Sequence, residues 1–272
     1  MTDQQIVRTE RKGSVLEILL DRPPVNAINR PTSRALYQAF RELQDEPSLR
    51  VGLITAPGQR VFSAGWDLKE VASGNYQRHL EDDPQLGSGP GGFAGITNFK
   101  DLDKPVIAAV NGPAIGGGFE IVLSCDVIVM ADHAYFALPE MQRGFLADAG
   151  AVQRLPRRIP YNVAMEMLLT GRRMDAAEAK HWGLVHQVVP HAQLMTAARA
   201  LAQEIGKGAP LALQALKAVI RKIEMMPLHE AMAATKSGRS GLPIYERMSA
   251  SEDFMEGPRA YVEKREAVWK GR

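Results

Sequence analysis

DKPVIAAVNGPAIGGGFE, residues 103–120, is the stretch that is most informative about the fold. Residues 105–110 form a short, branched, apolar run that is typical of a buried strand. The segment from Asn111 to Gly118 predicts a turn, and Phe119 begins a helical pattern. A buried strand that leads through a glycine-rich turn into a helix indicates an α/β protein.

Similar runs continue this alternation on both sides of the stretch. Leu36, Phe40 and Leu43 recur at helical spacing after an Asn-Arg-Pro sequence at 29–31, which predicts a helix there. Strands and helices therefore alternate over most of the chain, which favours an α/β core. Further strands are predicted at residues 15–20, 51–55, 61–63, 126–130 and 136–138.

The pattern of the chain changes in two places. Residues 72–98 are rich in Gly, Ser, Pro and Asp and lack periodicity, which predicts a long loop or lid that contains a short helix. From residue 193 onward the pattern is almost purely helical, so we predict a core at 1–200 followed by a helical region at 201–272. The helices of this part are predicted at 193–207, 210–223, 227–238 and 258–268.

The composition argues against several classes of function. A net charge of +2 over 272 residues gives no reason to expect a nucleic acid as partner, and no apolar run predicts a membrane span. The single cysteine, Cys125, and the polar N-terminus MTDQQIVRTERKG lead us to expect a cytoplasmic protein. The six histidines follow no metal-binding pattern and NGPAIGGG is no GxGxxG fingerprint, so we expect neither a metal nor a nicotinamide cofactor.

The run Gly116-Gly117-Gly118-Phe119-Glu120 stands between a predicted strand and a predicted helix. Successive glycines allow a ligand to approach the backbone closely, and the first N–H groups of a helix carry partial positive charge. Such groups stabilise a developing oxyanion, and Glu120 would lie on the same helix face as Gly117. The run also fits a flexible turn with a glutamate that favours the helix N-terminus.

Two further segments place polar groups after predicted strands. FSAGWDLK at 62–69 contains the small pair Ala64-Gly65, followed by Asp67, which has helix capping as its alternative role. Pro139-Glu140 presents a carboxylate rigidly, although a surface turn gives the same pattern. Taken alone, each segment favours the structural interpretation over a functional one.

Together these motifs resemble the enoyl-CoA hydratase/isomerase (crotonase) superfamily. The matches occur in the family's order and cover essentially the whole chain, so they are far more specific together than singly. The resemblance implies a spiral of ββα units followed by a helical region that forms trimers, often stacked as hexamers. The matching stretches are LDRPPVNAIN at 20–29, FSAGWDLKE at 62–70, DKPVIAAVNGPAIGGGFE at 103–120, DVIVMADHAYFALPE at 126–140 and GRRMDAAEAKHWGLVHQVV at 171–189.

The resemblance also implies a set of site residues. By motif, the two oxyanion-hole amides fall on Trp66 and Gly117, and the paired catalytic glutamates fall on Glu120 and Glu140. Coenzyme A belongs to the substrate, so no separate cofactor is implied. The family's contacts to coenzyme A map to Arg22, Asn26, Ala27, Ala64, Asp67, Leu68 and Lys69.

The implied reaction is the reversible hydration of a 2-enoyl-CoA thioester by a hydro-lyase, because relatives with other chemistry usually lack one or both glutamates. The tail at 251–272, Trp66 and GPGGFAG at 89–95 are similar to a branch that interconverts crotonobetainyl-CoA and carnitinyl-CoA. A general fatty enoyl-CoA hydratase with the same catalytic residues and a double-bond isomerase are the alternatives within the fold. An RNA-binding relative is a third alternative, against which the weak net charge counts.

The trimethylammonium group of such a substrate would be held by aromatic faces or by carboxylates. Trp66, Phe93 and Tyr135 are candidate aromatic walls, and Asp148 is a candidate anion. Asp148 has an equal alternative role as the cap of a helix that begins near Ala149.

Overall fold

Parallel strands in the first two thirds of the chain form the scaffold of the fold. The computed structural model describes residues 6–73, 87–236 and 238–272, and these contain nine strands in two sheets. The strands are β1 Val7–Lys12, β2 Val15–Leu20, β3 Val51–Thr55, β4 Val106–Val110, β5 Ala114–Ile115, β6 Val127–Ala131, β7 Tyr135–Ala137, β8 Arg173–Asp175 and β9 Gln187–Val189.

The larger sheet has the strand order β1-β2-β3-β4-β6-β9, and the smaller has the order β5-β7-β8. β1 and β2 are antiparallel, whereas every later neighbouring pair of the larger sheet is parallel. β3 and β4 are buried along their whole length, which explains their unbroken apolar sequences. This arrangement confirms the predicted α/β class.

Helices cover the sheets and continue to the C-terminus. α7 packs on the larger sheet and buries Leu194, Ala198 and Ala202. The predicted division of the chain after residue 200 falls inside this helix. The division itself remains a prediction. The helices are α1 Arg30–Asp45, α2 Leu68–Ala72, α3 Gly117–Ser124, α4 Ala151–Arg158, α5 Tyr161–Thr170, α6 Ala176–His181, α7 Leu194–Gly206, α8 Pro210–Ile223, α9 Leu228–Ala233, α10 Pro243–Ser249 and α11 Glu252–Glu263.

One predicted strand is wrong, and the edge strand β1 is not predicted, both for identifiable reasons. The expected strand at 61–63 is reduced to a single bridge between Ser63 and Ala114. The sequence does not predict β1, because this edge strand exposes five of its six residues and its composition is therefore polar. Antiparallel pairing with β2 along its whole length, and not an apolar pattern, defines this strand.

Four helices are predicted in the C-terminal part, whereas its described residues contain five, because α10 is not predicted. α8 spans 210–223 as predicted, whereas α9 ends at Ala233. α11 begins at Glu252 instead of residue 258, because the Ser251 side chain caps it and Pro258 lies inside the helix. In the described residues, no helix is long and apolar enough to span a bilayer, and no three His, Cys, Asp or Glu side chains are grouped to hold a metal ion.

The end of the predicted 72–98 loop is packed on α1, while residues 74–86 lie outside the described residues. Arg34 of α1 donates to the carbonyl oxygen of Gly87, and Gly95 lies so close to the Tyr37 backbone that a Cβ atom would overlap it. These contacts place Phe93, in a short 3₁₀ turn, against the N-terminus of α3.

Candidate active site

A cleft of about 1430 Å³ lies beside the N-terminus of α3. Asn26 is not among its lining residues: its side chain is buried, accepts the N–H of Arg22 at 2.9 Å and donates to the Phe62 carbonyl oxygen at 3.1 Å. Asn26 therefore supports the loop behind the cleft wall. The other predicted residues all line the cleft, namely Arg22, Ala27, Ala64, Trp66, Asp67, Leu68, Lys69, Gly117, Glu120, Glu140 and Asp148.

The N-terminus of α3 is packed too tightly to accommodate side chains. A Cβ atom on Gly118 would overlap the carbonyl oxygen of Ser63, and one on Gly117 would lie 2.6 Å from the ring of Phe93. As the first residue of α3, Gly117 has no acceptor within the helix for its N–H group. The glycine run is therefore a packing requirement that also leaves the Gly117 backbone at the cleft wall.

The second predicted amide belongs to an extended segment that touches α3. Ile28 donates to the Gly65 carbonyl oxygen at 2.8 Å and accepts the Asp67 N–H at 2.8 Å. Because these bonds flank Trp66, the Trp66 N–H points to the opposite side from Ile28. A Cβ atom on Gly65 would lie 2.6 Å from the Gly117 nitrogen, so the segments of the two amides are in direct contact, as an oxyanion hole requires.

Glu120 lies on the first turn of α3 and is only 4% exposed. Its Oε1 accepts the N–H of Ala151, the first residue of α4, at 3.0 Å. Burial raises the pKa of Glu120 to about 8; the Ala151 hydrogen bond opposes this change, and the charges of Glu140 and Asp148 add to it. The folded environment therefore shifts the Glu120 equilibrium towards the protonated form near neutral pH.

Glu140 follows β7 in a 3₁₀ turn and faces the same cleft. Its Oε1 lies so near Gly116 that a Cβ atom there would be 2.5 Å away, which explains why residue 116 has no side chain. Burial raises the pKa of this carboxyl as well. Its Oε2 is buried and has no hydrogen-bond partner among the described residues, so it can bond to a substrate or to water.

An ion pair joins the two loops that were predicted to hold coenzyme A. The Arg22 guanidinium donates to Asp67 Oδ2 at 2.8 Å and to the Ala27 carbonyl oxygen at 2.8 Å. Asp67 also accepts the N–H of Lys69 at 3.1 Å and caps α2, as the structural interpretation of the sequence proposed. Leu68 and Lys69 remain exposed at the rim of the cleft.

Asp148 lies at the exposed rim of the cleft near both glutamates, and its charge raises the pKa of each. The alternative that it caps a helix beginning near residue 149 is wrong. The helix begins at Ala151, its N-cap residue is Gly150, and its first N–H is bound by Glu120.

Aromatic rings line the cleft, although not all of those predicted. Trp66 and Phe93 do so, whereas Tyr135 stacks under the guanidinium of Arg173 at 4.4 Å and is not part of the lining. Phe145 also lines the cleft, although the sequence does not predict it, and its ring lies 6.2 Å from that of Trp66 at an interplanar angle of 64°. No local signal marks Phe145, because its position depends on how the segment after β7 turns back over the cleft.

The fold and the cleft agree with a match to a known family. The enoyl-CoA hydratase/isomerase family matches residues 10–272, and the chain belongs to this family. Within the family, it is 51% identical over 262 residues to the carnitinyl-CoA dehydratases of Citrobacter koseri and Salmonella agona. These alignments cover 96% of this chain and 97% of each relative.

Solved structures show the same relationship. An enoyl-CoA hydratase from Mycobacterium tuberculosis has a TM-score of 0.87 and 34% identity, with coverage of 99% of this chain and 100% of that chain. A probable enoyl-CoA hydratase/isomerase from Mycobacterium abscessus has a TM-score of 0.85 and 39% identity, with coverage of 98% and 99%. These similarities confirm the predicted crotonase-type fold.

Proposed function

We propose that the protein is a hydro-lyase that reversibly hydrates the 2,3 double bond of a 2-enoyl-CoA thioester. One observation carries this proposal: two carboxyls, the buried Glu120 and the half-buried Glu140, share a cleft with the two backbone amides of Trp66 and Gly117. Membership of the enoyl-CoA hydratase/isomerase family supports it. The only coenzyme involved is the coenzyme A of the substrate itself.

The proposed mechanism places the thioester oxygen between the Trp66 and Gly117 amides. Each such donor contributes roughly 3 kcal/mol to stabilising the enolate-like charge. In hydration, ionised Glu120 takes a proton from water as its oxygen attacks C3, and protonated Glu140 gives a proton to C2. In dehydration, Glu140 takes the C2 proton and protonated Glu120 assists the departure of hydroxide. Because the pKa values of both carboxyls are raised, the pair retains a transferable proton near neutral pH.

We place the coenzyme A part of the substrate against the lining residues from the two loops that Arg22 and Asp67 join. Lys69 is the exposed cation of this group and suits a phosphate. The buried Asn26 contributes by holding the loop, not by direct contact. The residues proposed to bind coenzyme A, or to support its binding, are Arg22, Asn26, Ala27, Ala64, Asp67, Leu68 and Lys69.

The proposed acyl group is the betaine of crotonobetainyl-CoA, with a plain fatty enoyl chain as the alternative. Similarity to carnitinyl-CoA dehydratases supports the betaine, as does the presence of Asp148, Trp66 and Phe93 in the cleft lining. Asp148→Asn should lower kcat/KM for crotonobetainyl-CoA about tenfold while changing that for crotonyl-CoA little. Equal losses on both substrates would reject a cation site at Asp148.

The test of the reaction is a paired rate assay with crotonobetainyl-CoA and crotonyl-CoA, followed by loss of the conjugated enoyl-thioester absorbance. Faster turnover of the betaine supports that substrate, and faster turnover of crotonyl-CoA supports the general hydratase. Glu120→Gln and Glu140→Gln should each abolish most turnover while coenzyme A ester binding persists. Turnover of neither substrate would reject the proposed function.

We also propose that the protein is a cytoplasmic homotrimer or hexamer with no nucleic acid or membrane as partner. Three helices of the C-terminal region expose large apolar side chains, including Leu216 on α8 at 61%, Leu228 on α9 at 78% and Tyr261 on α11 at 87%. Contact with a second copy of the chain would cover such surfaces. Cys125 is a free, buried thiol, which is compatible with a reducing compartment.

A further inference from the structure

Arg154 contacts two walls of the cleft at once. It lies in the first turn of α4, and its Nη2 donates to the Thr97 carbonyl oxygen at 2.7 Å. Its Nη1 lies directly against Gly150, where a Cβ atom would overlap it. The guanidinium therefore joins the start of α4 to the segment that follows Phe93, whose ring packs on Gly117.

The turn beneath this guanidinium delivers a hydrogen bond to Glu120. Gly150 is the N-cap residue of α4 with φ of 135°, and it has no side chain to cap the helix. The next residue, Ala151, donates its N–H to Glu120 Oε1. The position of Glu120 thus depends on a turn that the Arg154 side chain packs against.

Arg154 also supplies a positive charge to the carboxyl it helps to place. Glu140 and Asp148 raise the pKa of Glu120, and Arg154 opposes them. The charges that act on Arg154 itself are those of Arg158, Glu120 and Glu224. Arg154 is the only cation among the described residues whose charge lowers the pKa of Glu120. Without it, Glu120 would retain only the two carboxylate neighbours, Glu140 and Asp148, that raise this pKa.

We propose, resting on the proposed function, that Arg154 is a positioning residue for Glu120: its guanidinium fixes the start of α4, and with it the Ala151 amide, against this carboxyl. Arg154 acts through Glu120 and not on the reacting atoms. Its side chain keeps one oxygen of Glu120 on the Ala151 amide, which leaves the other oxygen for the substrate.

The first test is a titration of Glu120 that requires no substrate. Carbon-13 NMR of the glutamate carboxyls in the intact chain measures the midpoint pH of the Glu120 titration. The signal of Glu120 is assigned by its loss in the Glu120→Gln variant. Arg154→Met should raise the midpoint by about one pH unit, and Arg154→Lys, which keeps the charge, should shift it little. Arg154→Gln is the second neutral variant if Arg154→Met does not fold.

The matched control is Arg157→Met on the same helix. Arg157 is exposed and interacts with the Gln153 carbonyl oxygen and with Glu224 at 3.9 Å, and it is not among the charges that act on Glu120. The Glu120 midpoint should therefore stay at its wild-type value in this variant. An unchanged midpoint in the neutral Arg154 variants, or an equal shift in Arg157→Met, would overturn the proposal.

The second test separates positioning from binding. Arg154→Lys keeps the charge but cannot reach both Thr97 and Gly150, so kcat should fall about tenfold while KM changes little. In a Glu120→Gln background the same substitution should have no further effect, and additive losses would count against action through Glu120. A wild-type protein that hydrates no enoyl-CoA ester would reject the proposed function, while the NMR titration would still decide the Arg154 coupling.

Discussion

At the scale of single residues, the two cleft glutamates are alike in chemistry but differ in surroundings. Glu120 is almost fully buried and is held by the Ala151 amide, whereas Glu140 is partly buried and has one oxygen without a partner in the described part of the chain. Burial raises the pKa of both, which suits a pair that exchanges protons with carbon and oxygen at neutral pH. The same burial has a consequence for stability.

We predict that ionisation of Glu120 makes the protein less stable as pH rises. The pKa of Glu120 is about 8 in the folded protein against 4.5 for a free side chain, so between these values the folded state binds the extra proton. The free energy of unfolding must then fall with increasing pH in this range. Relative to that of the wild type, the free energy of unfolding of Glu120→Gln should increase by on the order of 4 kcal/mol between pH 5 and 9. Urea denaturation at several pH values measures this, and parallel curves for the two proteins would contradict it.

We predict that Gly116→Ala disturbs catalysis because Glu140 occupies the space a side chain would need. The Cβ atom would lie 2.5 Å from Glu140 Oε1, so kcat should fall at least about tenfold. Gly13→Ala is the matched control, because Gly13 has φ of 60° against 57° for Gly116 and no atom within 4 Å of its Cβ position. Both changes should cost about 1 kcal/mol of stability from the positive φ. Equal activity of the two variants would show that Glu140 adjusts without loss.

At the scale of elements, the site depends on the docking of the α3 N-terminus against residues 63–66. The Ile115 N–H donates to the Ser63 carbonyl oxygen at 3.0 Å, immediately before the glycine run. This bond and the close approach of Gly118 to Ser63 bring the two predicted amide donors together. A single extra methyl group at the contact should therefore separate the two elements.

We predict that Gly118→Ala destabilises the protein more than Gly117→Ala does. At residue 118 the new methyl group meets a backbone carbonyl, which cannot move without shifting the segment. At residue 117 it meets the Phe93 ring, which can rotate away. Gly118→Ala should cost roughly 2–3 kcal/mol and Gly117→Ala about 1 kcal/mol, as measured by thermal unfolding. The reverse order would mean that the Phe93 turn, not the Ser63 segment, is the rigid partner of α3.

At the scale of the whole molecule, the exposed apolar side chains of the C-terminal helices are the main unexplained surface. Leu216 and Ile220 lie one turn apart on α8 and are 61% and 54% exposed. On α11, Tyr261 and Val262 are more exposed still. Large apolar residues grouped in this way indicate an interface, which we assign to a second copy of the chain.

We predict that replacing both Leu216 and Ile220 with Glu dissociates the oligomer. Sedimentation velocity should show a trimer or hexamer for the wild type and a smaller species for the double variant, because charges are unfavourable in an apolar interface. Glu10→Gln, on the exposed edge strand β1, is the control and should leave the sedimentation coefficient unchanged. A double variant that sediments like the wild type would place the interface elsewhere.

The sequence alone determined the features that rest on local patterns. The buried strand β4 and the glycine run before α3 follow from apolar runs and from residues that allow close backbone approach. Each glutamate lies in a short motif that alone also fits a structural role, and only the resemblance of the motifs together to the family implies a catalytic pair. The order of these motifs along the chain is also sufficient to identify the family, because the motifs form the turns and helix starts on which its fold depends.

How these motifs work together depends on contacts that arise only when the chain folds. Burial and neighbouring charges give Glu120 a pKa of about 8, and no pattern of nearby residues reports either. Phe145, Arg154 and the buried Asn26 have roles that depend on contacts with segments distant in sequence. Local propensities are set by the nearest few residues, whereas electrostatics and close packing depend on every group that folding brings within a few ångströms, so these features required the structure.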